Sequence, residues 1–165
     1  MSNPAEIQFQ IRSHPRLLCV VRLVLENALL TRGLSADETN AMILAVDEAI
    51  ANVIRHGYHE ATDQPIWVRL SSIYEPTDGS GSEDDDASRP VAGVEVQLRD
   101  ETQDADLSRI KHLQPTSDQM SGRGVHIIYE AADEVDYQPG PGGRGMCLTL
   151  RKFHQRPSSP LCETG

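Results

Sequence analysis

The sequence is short of positive charge and of cysteine, and it has no long apolar run. Its 165 residues carry 15 Lys and Arg against 25 Asp and Glu, a formal net charge of −10. That balance argues against binding nucleic acid or an anionic membrane by broad charge attraction. No run approaches the roughly 20 apolar residues of a membrane span, and the first residues lack the basic and apolar regions of a signal peptide. We therefore expect no membrane association and no direct nucleic-acid partner.

The three cysteines, Cys19, Cys147 and Cys162, are widely spaced and form no CxxC pair or metal-ligand cluster with the histidines. This usage is typical of a reduced protein with ordinary thiols, so we expect a cytoplasmic location. The length and the hydrophobic share of 38% fit one domain with a sizeable core. We predict a single domain over residues 1–154 and a flexible Pro/Ser-rich tail over residues 155–165.

The periodicity of apolar residues predicts the elements in order. Strands are expected at 7–12, 66–74, 91–99, 134–137 and 146–152, and helices at 15–32, 35–56, 106–113 and 124–132. Such an order fits an α+β fold. We predict a two-layer α/β sandwich with a mixed, mostly antiparallel sheet covered by helices on one face.

An acidic loop insertion is predicted at 75–89, between the second and third strands. Residues 75–88 contain six carboxylates, no Lys or Arg, and no core-forming side chain. Removing these charges takes the net charge from −10 to −4, so most of the acidity is local. We interpret the insertion as a solvated hairpin loop.

The second predicted helix carries three polar residues at a spacing of four: Glu48, Asn52 and His56. At 100° per residue they form one stripe opposite the apolar face. A glutamate can act as a general base, and an asparagine carbonyl oxygen suits Mg²⁺. On spacing alone, an ordinary solvated helix face is the more common explanation of the stripe.

Two further features follow along the chain. Asp100 comes directly after a predicted strand, where it is either a ligand-reading carboxylate or a turn residue. The loop containing Gly122, Arg123 and Gly124 leads into a helix, whose N-terminal N–H groups suit phosphate oxygens. Arg123 adds a cation for a terminal phosphate. An ordinary loop remains the alternative for this glycine-bearing segment.

In this order the motifs resemble those of a known superfamily. The run DEAIANVIRHGY at 47–58 resembles the N-box of histidine-kinase-like ATPases, and most closely that of the anti-sigma factor serine/threonine kinases. The run SGRGVHII at 121–128 is similar to the second glycine box of that branch, and GGRGMCLTLRK at 142–152 to its final hairpin. The resemblance covers about residues 5–153.

The resemblance implies an ATP-dependent serine/threonine-protein kinase that binds a sigma factor and phosphorylates an antagonist protein, with ATP and Mg²⁺ as cofactors. Glu48 would be the catalytic general base, Asn52 would hold Mg²⁺, and Asp100 would read the adenine amino group. Gly122, Arg123 and Gly124 would cover the phosphates, while His56 would support the helix end. A homodimer is implied as well.

One motif departs from the family pattern. The branch has Asp-x-Gly-x-Gly after the strand, whereas this sequence has Thr102 and Asp104 at the two glycine positions. Thr102 adds β-branched bulk, and Asp104 adds a negative charge. Three functions remain open: an active kinase, a weak or inactive binding module that sequesters a partner without phosphoryl transfer, and a small ATPase or detached sensor-kinase domain.

Overall fold

The computed structural model describes residues 6–75, 89–102 and 123–154. The predicted helix at 106–113, most of the acidic insertion and the tail at 155–165 lie outside those residues. The described elements are β1 (Ile7–Arg12), α1 (Leu18–Thr31), α2 (Ala36–Asn52), β2 (Pro65–Tyr74), β3 (Val91–Arg99), α3 (Arg123–Ala131), β4 (Glu134–Pro139) and β5 (Met146–Phe153).

Within the described chain, five strands form one sheet in the order β1-β2-β3-β5-β4. Every pairing described is antiparallel, so the expected mixed sheet has no parallel pair in this part of the chain. The α+β prediction is confirmed. Strand β3 lies in the centre of the sheet, and Asp100 follows its last residue.

The core lies between one face of the sheet and the helices. Alternate residues of β2 and of the second half of β3 are buried, as the period of two in a strand requires, and β5 buries three consecutive residues, Leu148 to Leu150. They pack in one cluster with apolar residues of α1, α2 and α3, which include Leu25, Met42, Ile50 and Ile128. The helices therefore cover one face, and the apolar side of α2 is directed away from its polar stripe.

The helix ends differ in detail from the prediction. The first helix was expected from residue 15, but Pro15–Leu17 forms a 3₁₀ turn before α1. The second ends as an α-helix at Asn52 and continues as a π-helical turn over Val53–Gly57. In the described part of the chain, no helix has both the length and the hydrophobicity that crossing a membrane requires.

Candidate functional site

Helix α2 brings two of the predicted site residues to one surface. It begins with a capping box, in which the Glu38 N–H donates to Ser35 and the Ser35 N–H donates to the Glu38 carboxylate. Its inner face is buried, and Glu48 and Asn52 are half-buried on the other side. The stripe is thus not a fully solvated helix face. His56 is exposed and lies in the π-helical turn that follows α2.

The start of α3 lies directly against this stripe. A Cβ atom at Gly124 would stand 2.6 Å from Glu48 Oε2 and 3.7 Å from Asn52 Nδ2. Only glycine lets the two helices approach this closely without displacing the carboxylate. The structure therefore brings Glu48, Asn52 and Gly124 together, at the positive end of the α3 dipole. Gly122 and the side chain of Arg123 lie outside the described part of the chain.

A cation stands near the Glu48 carboxylate. Arg55 Nη2 is 3.9 Å from Glu48 Oε2, and the side chains are 53% and 30% exposed. This distance and exposure describe a weak surface ion pair. The Glu48 carboxylate is therefore accessible from solvent, which a group that acts on a second molecule requires.

Asp100 is buried at the end of β3, with 5% of its surface exposed. Its Oδ1 accepts hydrogen bonds from the N–H groups of Thr102, at 2.9 Å, and Met146, at 3.2 Å. The bond to Thr102 is the one an aspartate makes in a turn. Asp100 is therefore a turn residue. Its burial and the two N–H donors also fix the carboxylate in one orientation.

Comparison with known families gives an independent result. The model of the histidine kinase-like ATPase domain matches residues 11–152. The chain belongs to this family. The inferred resemblance is confirmed, and the motif residues at 47–58 all fall inside the match.

Individual relatives are more distant. The chain is 25% identical to serine-protein kinase RsbW of Bacillus subtilis (strain 168), over 93% of this chain and 89% of that protein. It is 28% identical to the anti-sigma F factor of Heyndrickxia coagulans, over 98% of this chain and 99% of that protein. A solved structure of the RsbU and RsbW domains of a Mycobacterium tuberculosis protein aligns with a TM-score of 0.59 at 17% identity. That alignment covers 92% of this chain and 33% of the solved chain, and it supports the fold.

The histidine kinase-like ATPase fold holds Asp100 through contacts that the sequence did not predict. The Glu101 N–H donates to Tyr58 Oη at 2.7 Å, and Tyr58 Oη donates to the Pro65 carbonyl at 2.7 Å. Gly145, with φ +67°, lies against the Asp100 carbonyl so closely that a Cβ would overlap it. Both residues occur in motifs quoted for the family, and that was the only signal for them.

A second carboxylate precedes Glu48 in the chain and was not predicted either. Burial raises the pKa of Asp47 above its ordinary value, and the hydrogen bond from Arg22 opposes this rise. Oδ2 pairs with Arg22 Nε at 2.5 Å, and the buried Oδ1 has no hydrogen-bond partner in the part of the chain described. This pair ties α1 to the helix that carries the site.

Proposed function

We propose that this chain is an anti-sigma factor of the serine-protein kinase type. It binds ATP with Mg²⁺ and transfers the γ-phosphate to a serine or threonine of an antagonist protein. The observation that carries the proposal is the approach of Gly124 to Glu48 and Asn52. It is supported by membership of the histidine kinase-like ATPase family and by relatives named serine-protein kinase RsbW and anti-sigma F factor.

The residues present fit such a nucleotide complex. Glu48 and Asn52 lie together against the backbone of Gly124, and their carboxylate and amide oxygens are the kinds of ligand that Mg²⁺ prefers. No group of three His, Cys, Asp or Glu side chains able to hold a metal occurs among the described residues. We propose that Asn52 supplies one protein ligand and the phosphates supply others. When bound, Mg²⁺ neutralises phosphate charge.

Each remaining site residue has a proposed role. Glu48 accepts the proton of the attacking hydroxyl, which requires an accessible carboxylate. Asp100 accepts a hydrogen bond from the adenine amino group, and its fixed orientation favours this role. Gly122, Arg123 and Gly124 cover the phosphates at the start of α3. Phosphoryl transfer depends mainly on positioning and charge neutralisation, which such a set provides.

The oligomeric state, location and partners are proposed from the family resemblance. We propose a homodimer in the cytoplasm, built from one domain over residues 1–154. We propose that a sigma factor and its antagonist protein are the partners, in keeping with the printed name of the anti-sigma F factor.

A sequestering module without phosphoryl transfer is the second candidate. The observation that favours it is Thr102, a buried side chain at a position where the family resemblance leads us to expect glycine. Such a protein would bind its partner protein and release it without turnover. The kinase binds ATP and transfers its γ-phosphate, whereas the sequestering module transfers no phosphate, so a phosphoryl-transfer assay distinguishes the two functions.

The first experiment is a thermal shift with Mg-ATP and Mg-ADP. We expect a clear rise in Tm for the wild type, because a ligand that binds the folded state stabilises it. We expect the rise to disappear in Asn52→Ala. No shift of the wild type at millimolar nucleotide would refute nucleotide binding.

The second experiment tests the proposed base. We expect Glu48→Gln to retain the thermal shift and to lose phosphorylation of the antagonist protein, with kcat roughly 100- to 10,000-fold lower. A Glu48→Gln variant with undiminished transfer would contradict the general-base role.

A further inference from the structure

The side chain of Thr102 packs against the end of the helix that carries Glu48 and Asn52. It is 7% exposed, and its Cγ2 methyl lies so close to Gly57 that a Cβ added there would overlap it. Gly57 is the last residue of the π-helical turn that continues α2. The methyl group of one residue thus fills the volume that the other leaves empty.

The backbone of Thr102 is held on both sides. Its N–H donates to Asp100 Oδ1 at 2.9 Å, and its carbonyl accepts from the Gly145 N–H at 3.0 Å. The neighbouring Glu101 N–H is bound by Tyr58, the residue after Gly57. Segment 100–102 is therefore joined to the helix end by one apolar contact and one hydrogen bond.

We propose that Thr102 is a positioning residue for the base-reading carboxylate. By packing its methyl group on Gly57, it fixes Asp100 relative to the helix that carries Glu48 and Asn52. The site is thereby selective for a nucleobase that donates from an exocyclic amino group. This inference rests on the proposed function, because it assigns Asp100 to the base of a bound nucleotide.

In this proposal Thr102 favours nucleotide binding and does not block the site. A glycine at 102 would keep the N–H donor to Asp100 but would lose the packing on Gly57 and gain backbone freedom. The carboxylate would then have to be ordered when the nucleotide binds, which lowers affinity. If Thr102 instead obstructed the site, its removal would raise affinity.

Moving one methyl group between the two residues tests the proposal. Thr102→Ser removes the methyl, Gly57→Ala adds one in the same volume, and the double variant carries one methyl there as the wild type does. Thr102→Val is the matched control, because it keeps the methyl group. The dissociation constants of Mg-ATP and of Mg-purine riboside triphosphate, which lacks the 6-amino group, are measured by calorimetry.

We expect each single change to weaken Mg-ATP binding about 5- to 10-fold, the size of one hydrogen bond, and to leave the purine analogue unaffected. The double variant and Thr102→Val should lie within about twofold of the wild type. Without nucleotide, amide hydrogen exchange at residues 101 and 102 should rise in both single variants and recover in the double variant.

The outcomes separate this proposal from the proposed function. A wild type that binds neither nucleotide refutes the proposed function and this inference with it. A wild type that binds Mg-ATP, with unchanged selectivity in Thr102→Ser, overturns only the positioning role. Tighter Mg-ATP binding by Thr102→Ser also overturns it, since Thr102 would then be an obstruction.

Discussion

At the scale of single residues, a substitution at Gly124 is expected to affect the proposed catalysis and the stability differently. An added Cβ would stand 2.6 Å from Glu48 Oε2, the far end of a flexible side chain that can rotate away. We expect Gly124→Ala to keep the free energy of unfolding within about 1 kcal/mol of the wild type, since alanine also favours the helix. We expect kcat to fall roughly 10- to 100-fold, because the proposed base is displaced. Urea unfolding and a phosphoryl-transfer assay measure the two quantities.

Gly142 is the control for this prediction, and its expected behaviour is the reverse. It has φ +70° and no atom within 4 Å of an added Cβ. Gly142→Ala should therefore lose about 1–2 kcal/mol through backbone strain and keep its kcat. Equal losses of activity in the two variants would contradict the role assigned to the Gly124 contact.

At the scale of elements, the sequence predicted the features that depend on neighbours in the chain. It predicted very few of the features that depend on long-range contacts. Apolar periodicity predicted α2 because the pattern depends on neighbours in the chain, and the capping box at its start is likewise formed by neighbours. The π-helical turn was not predicted. It depends on the Tyr58 N–H reaching the Val53 carbonyl, and Tyr58 is also held by Glu101 and Pro65.

The candidate site shows the same contrast between local patterns and long-range contacts. Glu48 and Asn52 were predicted to share a helix face, since i and i+4 positions are adjacent on any α-helix. The approach of Gly124 and the packing of Thr102 on Gly57 join residues far apart in sequence, so periodicity carries no information about them.

The capping box gives a prediction at this scale. Ser35→Ala removes the acceptor for the Glu38 N–H, and we expect the free energy of unfolding to fall by about 1 kcal/mol. Chemical denaturation at pH 7 measures the loss. Asp37→Ala, a nearby acidic position of the same first turn outside the box, is the control. A loss as large in that variant would indicate a general charge effect.

The contribution of the capping box to the free energy of unfolding depends on pH through Glu38. The hydrogen bond from the Ser35 side chain, followed by that from the Ser35 N–H, holds the pKa of Glu38 below its ordinary value of 4.5. Its contribution is therefore present above that value and is lost as the pH falls through the lowered pKa. We expect the stability deficit of Glu38→Ala to be full at pH 7 and to shrink below about pH 4.5. A deficit that is constant from pH 7 to pH 3 would contradict this linkage.

At the scale of the whole molecule, the point where the acidic insertion is attached and Asp100 lie at opposite ends of one strand, β3. The β2–β3 pairing runs from Trp67 opposite Arg99 to Tyr74 opposite Val91, and the Glu75 N–H donates to the Pro90 carbonyl beyond it. Strand β3 has nine residues, so its ends are about 27 Å apart. Asp100 follows one end, and the insertion is attached at the other.

This separation predicts that the net charge of −10 has little influence on nucleotide binding. Replacing residues 76–88 by Asn-Gly removes five carboxylates and leaves a three-residue hairpin loop, which ends in Arg89, between Glu75 and Pro90. At 0.15 M salt, where charges are screened over about 8 Å, we expect the Mg-ATP dissociation constant to change less than about twofold. At 0.01 M salt, screening extends over about 30 Å, and the shortened variant should bind more tightly than the wild type. A full-length variant with Asn and Gln in place of the five carboxylates separates charge from length. Weaker binding at 0.15 M salt in either variant would mean that the insertion reaches the site.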